Sequence, residues 1–256
     1  YIAEMTNSEL MAVMVGGFAN TAGGVLAAYV GMLHQYFPDI AGHLIAQSVM
    51  SAPAALVCAK IAMPETLTPK TLGHVKMGRE KIDANVIDAA ARGASEGLSL
   101  AFNVAAMLLA FIALIAMLNA LIRIAGALAG YPQLSLEMIL ALAGWPIARL
   151  MGVPTQDCWT VGKLIGVKTV LNEFVAYLQL TDILKTGQPL THRSIVIVSY
   201  ALSGFANFSS IAIQIGGISG IAPTRRHDLA KLGLKAMAVG AIATFMTATI
   251  AGILIP

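Results

Sequence analysis

Charged residues are scarce in this sequence. They make up 11% of its 256 residues, whereas soluble domains contain about 25%. The mean hydropathy is +0.78, so the chain could not cover a globular surface with solvated groups, and the composition argues against a soluble enzyme. The net charge is only +3, and no basic stripe is interleaved with aromatic residues. We therefore expect no nucleic-acid partner.

Cysteines and clustered metal ligands are also few. The two cysteines, Cys58 and Cys158, stand in apolar surroundings far apart in the chain and match neither a disulfide nor a metal pattern. The five histidines fall at predicted loop ends without metal-binding spacing. A nucleophile elbow and a phosphate-binding glycine loop are both missing. The sequence thus predicts no catalytic residues, no metal site, no cofactor and no enzymatic activity.

Long uncharged runs, by contrast, are abundant. A helix that spans a bilayer needs about 20 mostly apolar residues. Five runs reach that length: Leu10 to Pro38, Ile40 to Ala59, Gly97 to Ile122, Ser194 to Thr224 and Ala236 to Pro256. The second of them contains Pro53, which predicts a kink. The fold class predicted is therefore an all-α polytopic membrane protein.

The region from Tyr131 to Asp182 has a different pattern. Its apolar pieces, Leu134 to Met151 and Leu164 to Leu180, are short and are separated by the turn-rich segment 152–157. Two half-length helices that enter and leave by the same side are tolerated inside protein or along a water-filled cavity. We predict a re-entrant helical hairpin here, entering from outside.

Lysine and arginine placement predicts the orientation, because cytoplasmic loops are enriched in both. The basic segments Lys60 to Glu96 and Pro223 to Lys235 are accordingly assigned to the cytoplasm. Between Ile82 and Leu98 apolar and charged residues occupy opposite helix faces, which is typical of an interfacial helix on the membrane surface. An ordinary solvated connecting helix fits that pattern equally well.

The tetrapeptide Gly-Phe-Ala-Asn occurs twice, at residues 17–20 and 204–207, in two spans of opposite predicted direction. Such a pair is typical of an inverted-topology repeat. Glycine and asparagine destabilise a helix interior and favour an unwound break, where free backbone groups can coordinate a cation or a polar solute. Small residues for close helix packing, or chance, are the alternatives.

Glu173 lies in the second apolar piece of the predicted hairpin. An acid at membrane depth is costly and normally faces a cavity or a partner, so Glu173 is a candidate to bind solute hydroxyls or a proton. An ion pair with Lys168 is the competing interpretation. Asn207 and Ser210 would share a helix face, and Phe205 beside them could cover the carbon side of a polyol or sugar, or simply pack in the core.

Several stretches together resemble the concentrative nucleoside transporter family, specifically its C-terminal portion. They are residues 16–19, 22–23, 51–53, 151–154, 172–176 and 204–211, of which the last two, Asn-Glu-Phe-Val-Ala and Gly-Phe-Ala-Asn-Phe-Ser-Ser-Ile, are the most specific. The resemblance implies a homotrimer of inverted-repeat subunits with broken helices and re-entrant hairpins. It also implies that Glu173, Asn207 and Ser210 bind ribose, with Phe205 in the same site.

Two departures from the family pattern matter. The first hairpin and its nucleobase motif do not occur, so we expect that the sequence is a fragment that begins after that hairpin. Many sodium-coupled members have serine where Gly24 stands, beside the position of Val25. Ion binding at Gly24 and Val25 would therefore use backbone carbonyls, and the coupling ion is left open between sodium and a proton.

The resemblance predicts a secondary active transporter for cation-coupled symport of nucleosides into the cell, in a multi-pass arrangement in the bacterial inner membrane. The expected partners are nucleoside, the lipid bilayer and further copies of the chain. A gated channel for small polar solutes and a structural membrane subunit are the alternatives. An intramembrane hydrolase with Glu173 as base has little support, because no second acid or activated nucleophile stands at membrane depth.

The predicted organisation has six segments in chain order. These are 1–63, a broken transmembrane helix plus the following span; 64–98, a cytoplasmic loop and the interfacial helix; 99–130, a long scaffold helix; 131–190, the re-entrant hairpin; 191–224, the second broken helix; and 225–256, a C-terminal transmembrane helix.

Overall fold

Ten α-helices follow one another in the computed structural model, which describes residues 1–73, 84–187 and 190–255, and no strand occurs in those ranges. The side chains at positions 96, 99, 100, 103, 104, 107, 108, 111, 112 and 137 fall outside the description. The helices are α1 (Asn7–Ala19), α2 (Gly23–Leu33), α3 (Ile40–Ala62), α4 (Val86–Leu128), α5 (Leu136–Leu150), α6 (Cys158–Val170), α7 (Glu173–Lys185), α8 (His192–Ser203), α9 (Phe208–Ile221) and α10 (Arg226–Leu254).

Four segments are long and apolar enough to cross a membrane: Asn7–Leu33, Ile40–Ala62, His192–Ile221 and Pro223–Leu254. They correspond to four of the five predicted spans. The first and the third are each divided into two half-helices, α1 with α2 and α8 with α9. The prediction of an all-α membrane protein with two broken helices is therefore confirmed, while the inside and outside assignments stay predictions.

The fifth predicted span belongs to a longer helix than expected. Helix α4 has 43 residues and runs without interruption from Val86 to Leu128, about 64 Å at the usual rise per residue. The predicted segment boundary between residues 98 and 99 thus falls within one continuous helix, because neither proline nor a turn stops the helix there. Whether its first turns lie along the membrane surface stays a prediction, and the predicted start at Ile82 lies outside the described residues.

The predicted hairpin contains three helices instead of two. The turn at 152–157 exists, with Gly152 at φ +91°, and joins α5 to α6. The predicted apolar piece Leu164 to Leu180 is wrong as a single unit, because it is divided at Leu171 and Asn172. The Asn172 side chain accepts a hydrogen bond from the Val175 amide at 2.9 Å and starts α7 there, as asparagine does at helix N-caps.

Two apolar cores organise the packing. One contains residues of α2, α6, α7 and α8, with Tyr29 and Tyr177 among the largest, and the other joins α1, α3 and α10. Helix α10 packs against α1, α3 and α8. Helices α5 and α6 approach so closely that a Cβ on Gly144 would lie 2.4 Å from the Gly162 carbonyl oxygen. This packing holds in place the tip between α6 and α7 and the two helix breaks.

Candidate functional site

Glu173 is the first residue of α7, directly after the tip that joins α6 to α7. Its side chain is buried, with 5% of its surface exposed. A carboxylate at a helix N-terminus interacts favourably with the helix dipole. The tip therefore holds an acid at the one position of α7 where the helix itself helps to stabilise its charge.

Asn207 meets this acid from the second helix break. The amide nitrogen of Asn207 donates to Glu173 Oε2 at 3.0 Å. Its carbonyl oxygen caps α9 and accepts hydrogen bonds from the Ser210 amide at 2.9 Å, the Ser210 hydroxyl at 2.9 Å and the Ser209 hydroxyl at 2.6 Å. Asn207 and Ser210 have no exposed surface. The structure thus brings Glu173, Asn207 and Ser210 together, as the sequence predicts.

Tyr29 completes the surroundings of the carboxylate and was missed by the sequence reasoning. It lies on α2, the second half of the first broken helix, and its hydroxyl donates to Glu173 Oε1 at 3.2 Å. Its ring stacks on Tyr177 with the centroids 4.2 Å apart. The available signal was a tyrosine inside a long uncharged run, since a buried tyrosine hydroxyl needs a partner.

The remaining predicted site residues lie at the two breaks. Phe205 is within the break between α8 and α9 and is partly exposed. Gly24 and Val25 are in the first turn of α2, where Gly24 is exposed and a Cβ on it would meet no atom within 4 Å. The carbonyls of such residues accept helical hydrogen bonds and keep a second lone pair for another partner.

The two breaks contact each other directly. The Thr21 hydroxyl, in the first break, donates to the Ser203 carbonyl of α8 at 2.5 Å. A Cβ on Gly204 would lie 3.0 Å from the Phe18 carbonyl oxygen and 3.3 Å from that of Ala19. In the other copy of the repeated motif, a Cβ on Gly17 would lie 2.5 Å from Gln214 of α9. The glycines of both copies therefore serve close approach between the two broken helices.

Lys168 does not pair with Glu173. Its ammonium donates to the Ala201 carbonyl at 2.7 Å, and no ion pair among the described residues joins it to the acid. The competing interpretation of Glu173 as one half of a buried ion pair is therefore wrong. Both oxygens of the carboxylate have neutral donors, which leaves it able to accept further hydrogen bonds from a solute.

Known proteins include clear relatives of this chain. The family model described as "Na+ dependent nucleoside transporter C-terminus" matches residues 43–252. The chain belongs to this family. It is 45% identical over its whole length to an uncharacterized transporter of Haemophilus influenzae and 42% identical to the nucleoside permease NupC of Helicobacter pylori, covering 60% of each. It is 43% identical over 99% of its length to human solute carrier family 28 member 3, of which it covers 38%.

Solved structures of the transporter CNTnw have the same fold. Its inward-facing, substrate-bound state matches 98% of the chain with a TM-score of 0.80 and 45% identity, and the chain covers 58% of that protein. An intermediate state of a CNTnw variant matches 99% of the chain with a TM-score of 0.87, again at 45% identity and with 60% of that protein covered. The chain thus spans about 60% of these relatives and a smaller share of the mammalian ones.

Proposed function

We propose that the protein that contains this chain is a secondary active transporter, which imports nucleosides by symport with a cation. One observation carries the proposal: a buried carboxylate at a hairpin tip, Glu173, is hydrogen-bonded to the capping side chain of a broken helix, Asn207. The printed names of the relatives, among them a nucleoside permease and a sodium/nucleoside cotransporter, support nucleosides as the substrate class.

The chemistry of the three side chains suits the sugar of a nucleoside. An ionised carboxylate has about four lone-pair positions, and the side-chain donors that reach Glu173 from the described residues are Tyr29 and Asn207. Ribose hydroxyls would donate to the remaining positions. The Asn207 amide has a second N–H, and the Ser210 oxygen keeps acceptor capacity, so both could bind the same hydroxyls. Phe205 would cover the carbon side of the ring.

Alternating access follows from the division of the fold into a hairpin and two broken helices. At the hairpin tip, Glu173 is linked to both broken helices by hydrogen bonds from Tyr29 and Asn207. Movement of these elements together against a fixed scaffold would expose the site to one side of the membrane at a time. We propose a homotrimer in the bacterial inner membrane as the setting, with α4 as part of the scaffold.

Uptake of radiolabelled uridine into cells that produce the complete protein tests this function. Glu173→Gln and Asn207→Ala should each abolish accumulation at unchanged membrane levels. Asp182→Asn is the matched control, because it neutralises an exposed acid on the same helix and should leave uptake unchanged. Normal accumulation by both site variants would contradict the assignment, and uptake that never exceeds the external concentration would contradict active transport.

A sodium ion, if it is the coupling cation, is assigned to the backbone carbonyls of Gly24 and Val25 in the first turn of α2. A proton is the alternative coupling ion, and it would need a titratable side chain elsewhere. A mouse relative, named sodium/nucleoside cotransporter 2, is 38% identical to the chain. Replacing sodium by choline at fixed pH separates the two ions, since unchanged uptake would exclude sodium. Gly24→Ser adds a hydroxyl without a clash, so it should increase the dependence on sodium if these residues form the ion site.

A further inference from the structure

The end of α8 that faces the break is closed by side chains from three elements. The last four carbonyls of a helix lack helical partners and together carry about half a negative charge. At α8 the Tyr200 carbonyl accepts the Ser203 hydroxyl at 2.7 Å, the Ser203 carbonyl accepts Thr21 at 2.5 Å, and the Ala201 carbonyl accepts the ammonium of Lys168 at 2.7 Å. Lys168 is the group among these that brings a full positive charge.

Lys168 is almost entirely buried, with 1% of its surface exposed. It comes from the last turns of α6, and its ammonium also lies 5.8 Å from the centroid of the Phe245 ring on α10. A buried ammonium is costly unless it is paired and hydrogen-bonded, yet no carboxylate of the described residues is within ion-pair distance. Its compensation comes from the negative end of α8 and from the aromatic ring.

The corresponding end of the first broken helix is built differently. There the Ala19 carbonyl of α1 accepts a hydrogen bond from the amide of Gln47 at 3.2 Å, and Gln47 is neutral. The side-chain donor at the end of α1 is thus uncharged, whereas the donors at the end of α8 include a cation.

The hydrogen bond from Lys168 also closes a ring through the proposed substrate site. Glu173 follows Lys168 by five positions in the hairpin, and Asn207 follows Ala201 by six positions across the second break. Two hydrogen bonds join the hairpin segment to the segment across the break. In one, Lys168 donates to the Ala201 carbonyl, and in the other, Asn207 donates to Glu173. The first of these hydrogen bonds therefore restricts where the hairpin can place Glu173 relative to Asn207.

We propose that Lys168 is a positioning residue that acts as a tethered cation at the carbonyl end of α8, fixing the hairpin so that Glu173 faces Asn207. This inference rests on the proposed function, because its measurable consequence is nucleoside affinity.

Three substitutions separate the charge of Lys168 from its hydrogen bond. Lys168→Arg keeps both, Lys168→Gln keeps a donor without charge, and Lys168→Met removes both while filling similar volume. Uridine binding to the purified complete protein is the readout, with thermal unfolding to verify folding. Because the proposal assigns the effect to the charge of Lys168, and a charged hydrogen bond is about twice as strong as a neutral one, Gln and Met should both weaken binding, by about tenfold, while Arg stays within about threefold. Lys163→Gln, on the exposed face of α6, should change nothing.

A double-mutant cycle with Glu173→Gln supplies a readout that a purely structural role would not move. If Lys168 acts through Glu173, then Lys168→Gln should have almost no further effect on uridine affinity once Glu173 is neutral. Fully additive losses, or parental affinity in Lys168→Gln, would overturn the proposal. If Lys168→Gln does not fold, Lys168→Met replaces it in the cycle, since methionine fills similar volume without the cost of burying a polar or charged group. An unaffected Glu173→Gln single variant would instead contradict the proposed function itself.

Discussion

Gly204→Ala tests the contact between the two broken helices. A Cβ at this position would lie 2.3 Å from the Thr244 hydroxyl and 3.0 Å from the Phe18 carbonyl oxygen. The backbone of Gly204 is extended, at φ −76° and ψ 145°, which alanine adopts without strain. Any loss of stability would therefore come from the clash and not from the backbone.

The expected magnitude follows from two opposing effects. Inserting a methyl group into a packed core costs about 1–3 kcal/mol, while replacing glycine by alanine at a compatible backbone position stabilises by about 0.4–1 kcal/mol. The net prediction is a destabilisation of about 1–2 kcal/mol. Gly217→Ala on α9 is the matched control, because a Cβ there meets no atom within 4 Å, and it should be neutral or stabilising.

Thermal unfolding of the detergent-purified protein measures both effects, and uridine binding shows whether the site is disturbed. Thr244→Ala removes the oxygen atom with the shortest contact, so the double variant with Gly204→Ala should recover part of the loss. The Phe18 carbonyl remains and limits that recovery. Parental stability of Gly204→Ala, or strictly additive losses in the double variant, would refute the proposed packing of the two breaks.

Two further substitutions address single hydrogen bonds. Gln47→Leu should destabilise the protein by about 1–3 kcal/mol, because it leaves the buried Ala19 carbonyl without its donor; an unchanged unfolding temperature would contradict this. Tyr29→Phe should weaken uridine binding about 3–10-fold through loss of the neutral donor to Glu173, with Tyr177→Phe as control, since that hydroxyl donates elsewhere and its loss should affect stability alone. Equal binding losses in the two tyrosine variants would show that the effect is not specific to the carboxylate.

The long uncharged runs and the repeated Gly-Phe-Ala-Asn motif were sufficient to predict the broken helices. Hydropathy identifies a span, and glycine next to asparagine marks where its helix ends, because both residues favour non-helical backbone. The close approach of Gly17 to Gln214 and of Gly204 to the end of α1 depends on tertiary packing. No pattern in a single sequence predicts these contacts.

The hairpin shows where local reasoning was insufficient. The conspicuous turn around Gly152 predicts the centre of the hairpin at residues 152–157, whereas the tip that meets the breaks is at Asn172. Two residues between apolar helices hardly change the local composition, so hydropathy does not reveal the break. The local signal for it is Asn172, because asparagine often caps a helix N-terminus. Glu173 was identified because an acid at membrane depth is rare. Its contact with Tyr29 joins positions 144 residues apart, which no local pattern could predict.

Binding of deoxynucleosides tests most directly whether Glu173 holds the sugar. Affinities of uridine, 2′-deoxyuridine and 3′-deoxyuridine would be measured on the complete protein and on Glu173→Gln. A hydrogen bond to a charged group contributes about 1.5–3 kcal/mol, so the parent should lose about tenfold or more when the hydroxyl bound by Glu173 is absent. In Glu173→Gln that loss should shrink to a small factor. The same loss for each analogue in both proteins would show that the carboxylate does not contact the ribose.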